Sequence, residues 1–350
     1  MPAYPRDMPT NHSHFDPSAA AVAGDAVFGL PFTREQASVV LLPIPFDATT
    51  SYRPGTSHGP EAIRTASAQV DLYDHRFGRI YERGIWMAPH DATIQAWSRE
   101  ARALAEPLIA KGGAEESDRA VLDAIDAIGL RLRERVHHES LAILAAGQTP
   151  GIIGGEHSVS LGAIEACYEH FGNIGLLQID AHMDFREAFE GFRWSHASIL
   201  YNVLETQPRV VKVAQVGIRD YCEPERDYAV AAGDRVRTWF WEDIVDALDS
   251  GRSLTNLWSE VINSLPERVY VTFDIDGLDP KLCPHTGTPV PGGLSFDQAI
   301  LLLKALKDSG KHVVGFDLVE VAPGPADAPE WDANVGARML YKMCALAGRA

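Results

Sequence analysis

Apolar residues in this chain gather in short, almost unbroken runs, and between the runs they recur at helical spacing. The runs predict strands over Val39 to Ile44, Gly151 to Ile153, Ile174 to Ile179, Val210 to Gly217, Val236 to Phe240, Val269 to Phe273 and His312 to Glu320. Because polar residues do not alternate with apolar ones, these strands are expected to be buried on both faces. Over 117–146, Val121, Leu122, Ile125, Ile128, Leu132 and Val136 recur as the buried stripe of one amphipathic helix or two. Further helices are expected near Pro60, from Ser158, from His196, near Glu223, from Leu254 to Leu265 and from Phe296 to Leu306. Buried strands separated by amphipathic helices predict an α/β protein, a three-layer α/β/α domain with a mainly parallel sheet.

Residues 1–34, rich in Pro, Ala, His and Asp without periodicity, predict an N-terminal arm, loosely ordered or wrapped on a neighbouring subunit. No linker-like tract follows, so 35–350 is expected to form a single domain. Composition agrees: 46% hydrophobic and 23% charged residues are enough for a sizeable core. A net charge of −17 argues against a nucleic-acid partner and suits a cationic substrate. Cys167, Cys222, Cys283 and Cys344 form no CxxC pair, which excludes a zinc ribbon or a dense disulfide framework. No segment offers the ~20 continuous apolar residues of a membrane span, and the N-terminus lacks a secretory apolar region. The expectation is a cytoplasmic protein without a membrane partner.

Parallel α/β sheets collect ligands at the carboxyl ends of their strands. Here four predicted strand ends are loaded: GGEH to His157, DAHMD over Asp180 to Asp184, DID over Asp274 to Asp276, and Glu320. A histidine after a Gly-Gly turn is commonly a turn or core residue, and DxD is commonly a cap. Three such motifs together, on one scaffold, point instead to metal. His157, Asp180, His182, Asp184, Asp274 and Asp276 form an oxygen-rich set better matched to Mn²⁺ than to a thiolate zinc site. Four crowded carboxylates repel unless cations lie between them, and two divalent ions balance them. Paired metals lower the pKa of a shared water, so the chemistry implied is metal-assisted hydrolysis.

GGEHS, IDAHMDFREA, SHAS, FDIDGLDP with HTGTPVPGGL, and DLVEVAP together resemble the ureohydrolases, the arginase and agmatinase family, agmatinase-like branch. PFDATTSYRPGTSHGPEAIR resembles the loop these enzymes carry after their first strand, and the likeness runs from about residue 38 to the end. The resemblance implies a single arginase-type domain, a two-metal centre with Mn²⁺, or Ni²⁺ as in the guanidine-hydrolysing branch, and a homo-oligomer, trimer or hexamer. Matched by position, Asp180 and Asp274 bridge the metals, His157 and Asp184 complete one, and His182 and Asp276 the other. His196 matches the proton-shuttling histidine and Glu320 the carboxylate that receives a guanidinium. The reaction implied is cleavage of a guanidino C–N bond to release urea.

The substrate is less determined. EGFRWSHAS, Glu190 to Ser198, departs from the Asn-rich segment of animal-type arginases and argues against arginine. It is expected to place Phe192 and Trp194 near the site, with Trp194 as a substrate wall, while Arg193 reads as a surface charge. Agmatine, guanidinobutyrate and free guanidine stay open. Two other readings are a one-zinc deacetylase of the same architecture and a catalytically silent subunit. The full ligand set with Glu320 favours the ureohydrolase reading over both.

Overall fold

The computed structural model describes residues 15–21, 26–325, 327 and 330–348. In chain order the elements are β1 (Val39–Ile44), α1 (Gly59–Ser67), β2 (Tyr73–Asp74), β3 (Gly78–Arg79), β4 (Ile85–Met87), α2 (Ala92–Ala110) and α3 (Arg119–Ala145). They continue with β5 (Thr149–Gly154), α4 (Leu161–Phe171), β6 (Ile174–Ile179), α5 (Ile199–Thr206), β7 (Val210–Ile218), α6 (Glu223–Ala231), β8 (Val236–Phe240) and α7 (Trp241–Asp249). The last are α8 (Leu254–Ser264), β9 (Arg268–Asp274), α9 (Phe296–Asp308), β10 (His312–Val319) and α10 (Asp332–Cys344).

Eight strands form one sheet in the order β4-β1-β5-β10-β9-β6-β7-β8, with every pairing parallel, while β2 and β3 make a separate antiparallel hairpin. Alternate residues of a strand serve opposite faces. Val39 and Leu41 of β1 accordingly join one apolar cluster with Trp258, Leu303 and Met339, and Val40 and Leu42 join another with Val136, Ile164 and Leu200. Helices α8, α9 and α10 thus cover one face and α3, α4 and α5 the other, the three-layer α/β/α architecture expected from the unbroken apolar runs.

Besides the two-residue strands β2 and β3, four elements lacked a clear signature in sequence, each for a physical reason. β4 is a three-residue edge strand, too short to show a period. Pro107 interrupts the pattern of α2, whose start is instead marked by Asp91, capping Thr93 N and Ile94 N. α7 follows β8 without a break, so their apolar residues merge. Most of α10 is buried, which removes the polar face that marks an amphipathic helix. The described end of the expected N-terminal arm lies against the domain: Val27, Phe28, Leu30 and Phe32 are buried in the first cluster. Phe28 N–H donates to Ser67 Oγ at 2.8 Å. The rest of that arm, residues 1–14 and 22–25, lies outside the described residues. No described helix is long and apolar enough to cross a membrane.

The sheet order matters most for function. β5, β10, β9 and β6, whose carboxyl ends carry His157, Glu320, Asp274 with Asp276, and Asp180 to Asp184, are four consecutive neighbours although far apart in sequence. Close backbone approach seals this edge, since a Cβ on Gly155 would lie 2.0 Å from the Phe46 carbonyl oxygen. Glycine is the residue that fits there.

Candidate metal centre and active site

The structure brings all six sequence-predicted ligands together. His157 Nδ1 lies 2.9 Å from Asp184 Oδ2, 3.3 Å from Asp180 Oδ2 and 3.5 Å from Asp274 Oδ2. His182 Nδ1 lies 3.0 Å from Asp276 Oδ2 and 3.7 Å from Asp180 Oδ1. Two overlapping groups result, His157 with Asp180 and Asp274, and Asp180 with His182 and Asp276, each with ligand atoms close enough to hold one ion. Asp180 belongs to both.

A cation is the natural partner of this donor set. His157 Nε2 lies 2.7 Å from Thr272 Oγ1, and that hydroxyl donates to Asp317 Oδ1 at 2.9 Å. With its proton spent on Asp317, Thr272 accepts from Nε2–H, which leaves a lone pair on Nδ1. Nδ1 is buried without a hydrogen-bond partner and faces three carboxylates. A lone pair facing anions in a buried site is stable only with positive charge between them. Protonation supplies such charge in the metal-free protein. Burial opposes the imidazolium forms of His157 and His182, but the surrounding aspartates outweigh it and raise both groups well above their ordinary value. Burial, followed by the charge of Asp180, pushes the Asp184 carboxyl up to about 7. Burial and then Asp276 raise Asp274 well above the carboxylate range. Asp180 goes the other way: burial would raise it, yet the His157 and His182 rings beside it, when protonated, hold it low. A divalent ion would relieve the same repulsion without protons, so the residues fit a metal pair.

Polar residues buried beneath the ligands orient them. Thr238 Oγ1 donates to Gln215 Oε1 at 2.7 Å, Gln215 Nε2 donates to Gln178 Oε1 at 2.8 Å, and Gln178 Nε2 donates to Asp180 Oδ2 at 2.9 Å. Backbone N–H groups complete the set, from His182 to Asp180 Oδ1 (2.7 Å), Ala181 to Asp276 Oδ1 (3.0 Å) and Asp276 to Asp274 Oδ1 (2.9 Å). Arg219 pins the loop after β9, donating to the carbonyl oxygens of Gly217, Asp276, Leu278 and Val290. Sequence reasoning missed these residues. Their signal was a polar side chain inside a buried apolar run, as with Gln178, Gln215 and Thr272, because such a group needs a partner.

A cavity of about 180 Å³ opens over the cluster, lined by His157, His182, Asp184, Asp274, Asp276 and Glu320, and on its other walls by Arg186, Phe189, His196, Asp220 and Glu225 among others. Glu320 accepts the His157 N–H on Oε1 at 2.8 Å. Burial and then the charge of Glu156 raise its carboxyl well above the usual range. Asp184 and Glu320 adopt positive φ, 59° and 62°. For non-glycine residues that backbone costs of order 1–3 kcal/mol and is found at functional sites. His196 reaches the cavity from the turn before α5, and burial, with His182 and His157 adding, lowers its pKa to about 3.

Two expectations need correction. Trp194 does not line this cavity: it packs on α3, where a Cβ on Gly129 would come within 2.9 Å of it, and Arg133 lies over its ring at 5.4 Å. Phe192 is buried with Ala105, Leu108 and Ile125 between α2 and α3. Both rings turn to the helices, Phe192 fully buried and Trp194 partly so, and Phe189 and Arg186 face the cavity instead. Arg193 is exposed and lies over Trp194 at 4.8 Å, the surface charge expected.

Comparison with known proteins matches this geometry to a family. The model for the arginase family matches residues 37–345. The chain belongs to the arginase family. It is 35% identical over 316 residues to an N(1)-aminopropylagmatine ureohydrolase of Thermus thermophilus, covering 90% of this chain and 92% of that one. It is 32% identical to an agmatinase of Proteus mirabilis over 87% of this chain and 85% of the relative. Among solved structures, proclavaminate amidino hydrolase from Streptomyces clavuligerus shares the fold, with a TM-score of 0.71, 24% identity and coverage of 94% and 98%. As an arginase-family ureohydrolase, the protein is a hydrolase of guanidino C–N bonds built on a binuclear metal centre.

Proposed function

We propose that this protein is an agmatinase-like ureohydrolase, cleaving a small guanidino compound that ends in an amine into urea and the free amine. The observation that carries the reading is the pair of ligand groups sharing Asp180 beside Glu320, since a planar cation pairs well with a carboxylate above a nucleophile-generating site. In this proposal Asp180 and Asp274 would be the residues shared by the two ions, with His157 and Asp184 holding one and His182 and Asp276 the other. The metal pair, Mn²⁺ or in the alternative Ni²⁺, supplies a Lewis acid and an activated water near neutral pH.

The chain's own residues do the rest. Glu320, with Oε1 held by the His157 N–H, turns its remaining acceptor capacity to the guanidinium. Water that adds to the guanidinium carbon gives up a proton, which His196 would accept and return to the nitrogen that leaves as the C–N bond breaks. The cavity is smaller than the ~300–1,000 Å³ that holds drug-sized ligands, which suits a short substrate.

Asp220 favours the amine. Its side chain is exposed in the cavity wall, and among the described residues no hydrogen bond or ion pair engages its carboxylate. It follows β7, three strand spacings from the Glu320 end of β10, roughly 14 Å. That separation matches a guanidinium joined to an ammonium by a few methylenes. Arg186 lines the same cavity and would favour guanidinobutyrate, but it lies 3.6 Å from Glu225 and stacks over Phe189 at 4.6 Å.

A urea-release assay over agmatine, N(1)-aminopropylagmatine, arginine, guanidinobutyrate and guanidine, with Mn²⁺ and with Ni²⁺, tests the reading. Amine-terminated compounds are expected to lead, with Asp220→Asn lowering that preference roughly tenfold, the value of one lost charge contact of about 1.4 kcal/mol. Absence of urea from every compound with two metals bound would sink the proposal. Assembly as a trimer or hexamer and a cytoplasmic site of action complete it, the former measured by light scattering and the latter by fractionation.

A further inference from the structure

The buried carboxylate of Glu156 takes no metal-facing position in the geometry above. It is fully buried and meets neutral donors: Thr49 N–H at 2.7 Å, Thr49 Oγ1 at 2.8 Å, Ser158 Oγ at 2.6 Å and, more distantly, Thr50 Oγ1 at 3.5 Å. Thr49 is buried too, on the loop after β1, and it is the link from this carboxylate to His196. Its Oγ1 accepts the His196 backbone N–H at 3.1 Å and lies 3.4 Å from His196 Nδ1.

A hydroxyl has one proton and two acceptor positions. Glu156 takes the proton of Thr49, so Thr49 has only lone pairs to offer the histidine. One meets the backbone N–H and the other faces Nδ1. The second hydroxyl near Nδ1, Ser195 Oγ at 3.4 Å, accepts the Ala197 N–H at 3.2 Å and keeps both its proton and a second acceptor position, so it fits either tautomer, and Thr49 is the hydroxyl that discriminates between them. Phe189 closes one side of the ring edge-on at 5.9 Å. Resting on the ureohydrolase reading for the role of His196, we infer that Glu156 and Thr49 are positioning residues which hold His196 as its Nδ1–H tautomer. Nε2 is then the nitrogen that takes up and delivers the proton. The arrangement does for a histidine on a loop what a buried acid does directly in other proton-transferring histidines.

A purely structural role would be that Glu156 ties the loop after β1 to the end of β5, and the test separates the two. Thr49→Val keeps the side-chain shape and the Thr49 N–H bond to Glu156 but deletes the hydroxyl, and Thr49→Ser keeps the hydroxyl. Nitrogen-15 NMR of histidine-labelled, metal-free protein, with His196 assigned through His196→Asn, reads the tautomer without any turnover. The expected result is an Nδ1–H signal in the wild type and in Thr49→Ser, and its loss in Thr49→Val. With metals bound, Thr49→Val is expected to lower kcat roughly 10- to 100-fold, the usual effect of removing an orienting partner, with KM and metal content unchanged and Thr49→Ser close to wild type. A wild-type Nε2–H signal, an unchanged kcat in Thr49→Val, or loss of kcat together with metal would overturn the inference. If the wild type releases no urea, the ureohydrolase reading fails on its own, and the tautomer measurement still judges the positioning pair.

Discussion

The metal cluster and the Glu190 to Ser198 loop lie side by side in the chain and behave oppositely. In the cluster, side chains that alternate along a strand end converge: Asp180, His182 and Asp184 all turn to one centre, meeting Asp274, Asp276 and His157. In the loop, the bulky residues diverge, Phe192 into the contact of α2 with α3 and Trp194 onto Gly129. The lesson is that strand periodicity transmits side-chain direction from sequence to space, whereas an irregular loop sends each side chain to whichever neighbour best removes it from water.

The sharpest way to break this comparison is at Asp274, the position proposed to bridge the metals. Asp274→Ala is expected to lose metal and activity together, by at least the ~100–1,000-fold that follows removal of one electrostatic stabiliser; metal analysis with a urea assay checks both, and two retained metals would remove Asp274 from the centre. His196→Ala is expected to keep both metals and to lower kcat by ~10²–10⁴-fold, the range of general acid–base catalysis. Unchanged kinetics would take it out of the mechanism.

Chelation should expose the repulsion within the cluster. The folded pKa of Asp184, about 7, lies above the unfolded carboxylate value of ~3.9. A raised pKa means that the folded state holds the extra proton. The stability this group contributes is therefore full below the unfolded value and is lost as pH rises through about 7. His157 and His182, also raised, act in the same sense. The melting temperature of chelated protein is expected to fall from about pH 5 to about pH 8, and added metal to restore most at the upper end, where protons no longer compete. A flat profile in chelator would contradict the electrostatic account.

The smallest effects on chemistry belong to the loop. Phe192→Ala should lower stability by ~3–5 kcal/mol, as for other buried aromatic deletions, and Trp194→Phe by less, with the ranking of substrates unchanged in both. Denaturant melts and the substrate panel read these separately. A reordered panel would return those two rings to the substrate wall.

The longer strands, the parallel sheet and the loaded strand ends were legible because each depends on a short-range pattern: an unbroken apolar run, or two acids and a histidine at alternate positions. The polar chain from Thr238 through Gln215 and Gln178 to Asp180 was not, since its first two links join residues of neighbouring strands that are far apart in sequence.

By itself, then, the sequence of this protein determined its layers and the strand ends that carry its candidate ligands, and its resemblance to a family gave the class of bond it attacks. Only the tertiary structure decided that β10 and β9 insert between β5 and β6, which puts Glu320 beside His157. It also decided that Phe189, Arg186 and Asp220, and not Trp194 or Phe192, wall the cavity. The physical reason is that backbone geometry fixes where a strand residue points, while the partner of a loop residue is chosen by long-range packing that no local pattern records.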